Sequence, residues 1–164
     1  MTARGDNSSA ETPAANSEFE HVSVMLDEVV SVFSDVPPGV IVDATLGGGG
    51  HTEALLDARV ETSILGLDRD DVAVVAASTR LAPHGERVTL RHARFDSITD
   101  AVRSIGADQI SGCLFDLGVS SPQLDHADRG FSFRNDGPLD MRMDRSRGFT
   151  AADLVNGAEE RELL

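Results

Sequence analysis

Residues 39–60 read GVIVDATLGGGGHTEALLDARV: β-branched residues, an aspartate, four consecutive glycines, a histidine, then helix-forming sequence. β-Branched side chains suit a buried strand, whereas a glycine run removes every Cβ where backbone must lie against something else. A strand, a glycine loop and a helix start in series form a ligand site, because the first turn of the helix offers free amides and the positive end of its dipole. The stretch therefore predicts a strand–loop–helix unit that holds a ligand against its own backbone.

Three further apolar runs, SILGLD, RVTLRH and ISGCLFDLG, are separated by the helical stretches DDVAVVAASTRL and DSITDAVRSIG. Strand and helix alternate, which predicts an α/β fold with a parallel, doubly wound sheet. Upstream, HVSVMLDEVVSVF places Val22, Met25, Leu26, Val29, Val30 and Phe33 at helical spacing until Pro37-Pro38-Gly39 stops it. Residues 1–18 are small and polar, so a disordered tail is expected there, with order beginning near Phe19. At the other end FTAADLVNGAEERELL predicts one helix with Thr150 as N-cap; it reaches Leu164 without a Gly, Asn or Pro terminator and reads as cut.

With 164 residues and 40% apolar content the chain can bury one ordinary core. A net charge of −14 argues against nonspecific coating of nucleic acid, which relies on basic surface, but leaves a local nucleic-acid site open. No apolar run is long enough for a membrane span, so a soluble cytoplasmic protein is expected. The single cysteine, Cys113, sits in an apolar run and reads as a core thiol; neither a disulfide nor a metal centre is expected. All 14 basic residues are arginines, and five of them (Arg129, Arg134, Arg142, Arg145, Arg147) lie among Asp128, Asp136, Asp140 and Asp144. Two readings of that cluster stand side by side: forks for RNA phosphates, or salt bridges within the loop.

In such sheets ligands sit beyond the carboxyl ends of the strands, which singles out Asp43 with the glycines, Asp68, Arg94-Phe95 and Asp116. The dinucleotide fingerprint Gly-x-Gly-x-x-Gly fails: from Gly47 its last position is Thr52, and from Gly48 it is Glu53. Asp68, 25 residues beyond Asp43, is placed to accept both hydroxyls of a ribose. A ribose-bearing cofactor without a pyrophosphate fits this combination, and S-adenosylmethionine is one. An NAD-dependent oxidoreductase would share the loop and Asp68, but the chain lacks the fingerprint and any tyrosine. A noncatalytic nucleotide-binding domain would have no use for the loop after the fourth strand.

The stretches HVSVMLDEVV, DATLGGGGHTEALL, GLDRD and DLGVSSPQLDHADRGFSFRNDGPLDMRMD resemble the bacterial ribosomal RNA small-subunit methyltransferase H family, also called MraW. The resemblance runs from about His21 to the last residue. It implies a Rossmann-like methyltransferase fold and methyl transfer from S-adenosylmethionine to the exocyclic N4 of a cytidine in the decoding region of small-subunit (16S) ribosomal RNA. It also implies cofactor contacts from Gly49, Gly50, His51, Asp68, Phe95, Asp116 and Gln123, with the RNA or the assembled small ribosomal subunit as partner. Residues 19–125 would form the cofactor-binding core and 126–164 the start of a helical substrate-binding insertion. Members of the family continue well beyond this length, so the chain resembles only the N-terminal part and is expected to be inactive on its own.

From the residues alone, His51 reads either as a cofactor contact or as a polar helix-start residue, and Phe95 as a wall for adenine or as core. Many amino-methylating enzymes carry a polar-Pro-Pro-aromatic motif after the fourth strand; SSPQ keeps the polar-Pro part only. The catalytic candidates are Asp116, Ser120 and Ser121, acceptors for the N–H groups of an amine whose lone pair is delocalised into its ring. Phe131 or Phe133 would either stack on a displaced base or pack the loop.

Overall fold

The computed structural model describes residues 23–163; the expected tail, residues 1–18, lies outside them. Four strands, β1 (Gly39–Asp43), β2 (Thr62–Asp68), β3 (Val88–His92) and β4 (Gly112–Leu114), form one sheet in the order β3-β2-β1-β4. Every pairing is parallel, with Ile41 opposite Ile64 on one side and Gly112 on the other. The order reverses at β1, between β1 and β4, and this reversal opens a crevice at the carboxyl ends of the strands.

Successive residues of β1 and β2 bury their side chains on opposite faces, as two-sided coverage demands. Ile41 and Ile64 pack with Leu55, Leu56, Ala77 and Leu81 beneath α1 (Leu26–Ser34), α2 (Gly50–Ala58) and α3 (Asp71–Leu81). Val42, Leu65 and Leu67 pack with Val102 beneath α4 (Ile98–Ser104). α1 ends where Arg59 donates to the carbonyls of Phe33, Ser34 and Val36, a basic side chain closing a helix C-terminus. Phe33 then lies on β4: a Cβ on Gly112 would stand 2.6 Å from its ring.

Several expectations need correction. The first helix starts at Leu26, not near His21, because Met25 takes a left-handed conformation and turns the chain. β4 is only three residues long, shorter than ISGCLFDLG suggests. The final helix is two: α6 (Ala151–Gly157) and α7 (Glu160–Leu163), broken after Gly157, a poor helix former. Thr150 does cap α6, its side chain accepting from the N–H of Asp153. Cys113 is half-buried at the edge of the Val42 cluster, where desolvation pushes its thiol pKa up.

Residues 126–150 contain no α-helix or strand, and no apolar residue among them is buried. Arg129, Asp140 and Asp144 are the buried ones. Within the described residues no helix is long and apolar enough to cross a membrane, and no three His, Cys, Asp or Glu side chains are grouped to hold a metal.

Candidate functional site

A cavity of about 470 Å³ lies at the reversal point, within the range of small-molecule sites. Its walls come from Ser23-Val24, the loop after β1, Asp68-Arg69, Ala93–Phe95 and the segment Asp116–Gln123 with Met143. One wall is therefore glycine backbone, and another mixes Asp116, Ser120 and Gln123 with Leu117, Val119 and Met143.

The glycine loop divides its work. Gly50 lines the cavity, and a Cβ there would strike the Ser23 hydroxyl; Gly49 faces the other way. Gly49 has φ 81 at the N-cap of α2, and a Cβ on it would press on Leu81 and Ala77 of α3. Its role in this fold is to seat the loop on α3. Gly47 lines the cavity and donates its N–H to Asp68 Oδ2 at 2.8 Å.

Asp68 Oδ1 accepts the N–H of Asp70 at 2.8 Å, so backbone on both sides fixes the carboxylate at the rim of β2. Burial raises its pKa above the ordinary carboxylate value, with Asp70 adding a smaller repulsion. His51 is buried; its Nε2 donates to the Val24 carbonyl at 2.8 Å, and Nδ1 lies 4.0 Å from Asp116 Oδ2. A carbonyl can only accept, so the hydrogen is on Nε2 and Nδ1 points toward the acid. His51 is thus anchored to the residues ahead of α1 and lies beside Asp116 on the far wall of the cavity, more than a polar helix start would do.

Asp116 comes two residues after β4 and lines the cavity, its own N–H held by Thr45 Oγ1 at 2.7 Å. Ser120 lines it too, while Ser121 opens α5 (Ser121–Asp125) and does not. Gln123 is buried, accepts the N–H of Ser120 at 3.1 Å and donates to Asp70 Oδ2 at 2.9 Å. Phe95 is 45% exposed and meets Phe115 edge-to-face at 5.8 Å, so the core reading of its position does not hold. Of the mapped cofactor residues, six line the cavity and Gly49 stands behind it.

Asp43 is a different case. It is fully buried and turned away from the cavity, accepting from Thr52 Oγ1 at 2.7 Å and the Thr45 N–H at 3.2 Å. Desolvation pushes its pKa up to about 6. It ties β1 to α2, a structural acid at a strand end that the sequence singled out for the ligand.

Sequence reasoning did not assign roles to Thr45, Asp70 and Met143, and it did not place Arg129 against the core. Asp70 stands in the quoted GLDRD and Arg129 in the arginine cluster, but nothing local announces that they meet. In that cluster Arg142 pairs with Asp140, Arg145 with Asp128 and Arg147 with Asp144, each at 2.8 Å, and Arg129 with Asp70 at 2.7 Å. The reading of salt bridges within the loop holds for Arg142, Arg145 and Arg147; Arg129 leaves the loop to reach Asp70, and Arg134 lies over the ring of Phe133, 5.5 Å from its centroid.

The sheet order, the glycine loop and the cavity at the reversal point define a Rossmann-like ligand-binding domain. A model of the MraW methylase family matches residues 18–164, and the chain belongs to that family. It is 51% identical over 147 residues to ribosomal RNA small subunit methyltransferase H of Geobacter sp. (strain M21), covering 89% of this chain and 47% of the relative. The protein of that name from Thermobifida fusca (strain YX) is 49% identical over 146 residues, 87% of this chain and 44% of the relative. The chain thus spans about half the length of the curated relatives it matches. An rRNA methylase structure from Streptococcus thermophilus aligns with a TM-score of 0.45 and 24% identity over 61% of this chain and 56% of that one.

Proposed function

We propose that the cavity binds S-adenosylmethionine and that the whole protein, of which this chain covers the cofactor-binding part, methylates the exocyclic N4 of a cytidine in small-subunit ribosomal RNA. The observation that carries this reading is the pairing of a backbone-fixed acid, Asp68, with a glycine-backed wall in one cavity of suitable size. Relatives about 50% identical carry the name of a small-subunit ribosomal RNA methyltransferase.

Asp68 would accept hydrogen bonds from the two ribose hydroxyls, Gly50 would let backbone lie against the amino-acid end, and Phe95 would flank the purine. Bound there, the group would supply an electrophilic methyl on a sulfonium. Asp116 and Ser120 face the space where the amine must approach; their oxygens would accept its N–H bonds, and the proton it gives up on methylation would pass to an acceptor or to water. Residues 126–164 begin the part that meets RNA, and the site of action is the cytoplasm.

Calorimetric titration of the chain with S-adenosylmethionine and, separately, NAD tests the cofactor assignment; binding of NAD alone would replace it with an oxidoreductase reading. Nucleoside mass spectrometry of small subunits treated with a relative-length version tests the target. A new methyl on C5 or on ribose would overturn the N4 assignment.

A further inference from the structure

Asp70 follows the ribose acid by two residues, and its Oδ2 receives two donors: Gln123 Nε2 at 2.9 Å and Arg129 Nη2 at 2.7 Å. The same Arg129 Nη2 donates to the Met143 carbonyl at 3.2 Å. Gln123 and Met143 both line the cavity, so one carboxylate fastens two pieces of its wall to the end of β2. Asp70 is 3% exposed and Arg129 7%. Asp70 Oδ1 meanwhile accepts from the Val72 N–H and caps α3.

A buried ion pair is a poor device for stability alone, since desolvation offsets much of its attraction. This one is also incompletely satisfied: among the described residues Arg129 Nε is buried with no hydrogen-bond partner. Yet residues 126–150 bury no apolar side chain, so Arg129 is their deepest attachment to the core. A second polar contact, Asp144 Oδ2 at 3.8 Å from His92 Nε2 of β3, adds to it. An attachment made of a few charged contacts has a small closing free energy, of the size that a ligand touching one of them can shift.

We infer that the Asp70–Arg129 pair links the cavity to residues 126–148, so that filling the cavity and fastening this segment are one coupled equilibrium. The linkage rests on the cofactor reading above. A ligand held by Asp68 and Gln123 orders the groups that Arg129 grips, and a fastened Met143 completes the wall that the ligand meets. Coupling of this kind is reciprocal: loosening the segment must weaken the ligand by the same factor. Arg129 and Asp70 are thus positioning residues, acting through Gln123 and Met143.

The test is backbone hydrogen exchange of the chain with and without S-adenosylhomocysteine, the demethylated product, alongside calorimetry. In the unsubstituted chain the ligand should slow exchange across 126–148 several-fold or more. Arg129→Met should speed exchange there in the free protein and lower affinity roughly tenfold, while Arg145→Met, at an exposed pair, should do neither. Should Arg129→Met fail to fold, Asp70→Asn decides, because asparagine still caps α3 while removing the charge. Normal affinity in a variant whose segment exchanges freely would overturn the linkage and leave the cofactor reading intact. If the unsubstituted chain does not bind S-adenosylhomocysteine, the cofactor reading fails and the linkage with it.

Discussion

Between Gly39 and Asp125 the chain buries Ile41, Val42, Leu55, Leu56, Ile64, Leu65 and Leu67 almost completely; between His126 and Thr150 it buries only Arg129, Asp140 and Asp144. Both regions contribute to the wall of one cavity. The first is held by apolar burial and a parallel ladder, the second by carboxylate–guanidinium pairs and turn hydrogen bonds. Apolar side chains carry no charge to titrate or to screen, whereas ion pairs weaken in acid and in salt. The wall that carries Asp68 therefore has a stability set by packing, while the wall that carries Met143 has one set by charge.

The largest effect that separates the two regions is a cavity in the core. Leu65→Ala should cost about 2–5 kcal/mol in urea unfolding, whereas Phe133→Ala, at a 92% exposed ring, should stay within about 0.5 kcal/mol. Equal costs would break the contrast.

The next is a pH profile. Asp43 titrates near 6 in the folded chain and near 4 when unfolded, so the folded state holds its proton more tightly. Stability should fall as pH rises from about 4 to 6, by on the order of 2–3 kcal/mol, and level off above. Asp43→Asn should flatten that slope in the denaturation midpoint.

Cofactor binding comes third. Asp68→Ala should weaken S-adenosylmethionine by about 1.5–3 kcal/mol for each charged hydrogen bond lost, read by calorimetry, and unchanged affinity would remove Asp68 from the site.

The smallest effect runs opposite to the second. Arg142 holds Asp140 down to about 2, and Ser146 lowers Asp144. What these groups contribute is present above their unfolded values and lost as pH falls through the folded ones. Exchange across 126–148 should accelerate below about pH 4 while the sheet amides stay protected. Simultaneous loss of protection in both would show that they open as one unit.

The core was largely legible because its signals are local. Val40, Ile41 and Val42 read as strand, the glycines as a loop, and SILGLD as a second strand ending in an acid. Those features depend on backbone preference and on period, which a sequence carries in neighbouring residues. Gly49 and Asp43 show where that stops: each stands in a motif that reads as ligand contact, yet one faces α3 and the other Thr52. Orientation around a loop is decided by what packs behind it. The meeting of Asp70 with Arg129, 59 positions apart, had no sequence signal at all. Arginine and aspartate alternate so densely after His126 that many pairings are possible, and only the path of the chain selects one.

The three-residue length of β4 sets an order in time. Ile41 finds Ile64 only 23 positions along the chain, but Gly112 lies 71 positions away. Closing the longer loop costs roughly 1 kcal/mol more, and three residues of ladder return little against it. β1, β2 and β3 can assemble as consecutive neighbours, and β4 docks afterwards. A nascent chain emerging N-terminus first would thus expose the glycine loop and Asp68 well before Asp116, Ser120 and Gln123 arrive to face them. Until that strand is seated the protein has half a grip, so a small molecule that needs both sides rewards only the finished fold and acts as a late lock on it, without guiding its early steps.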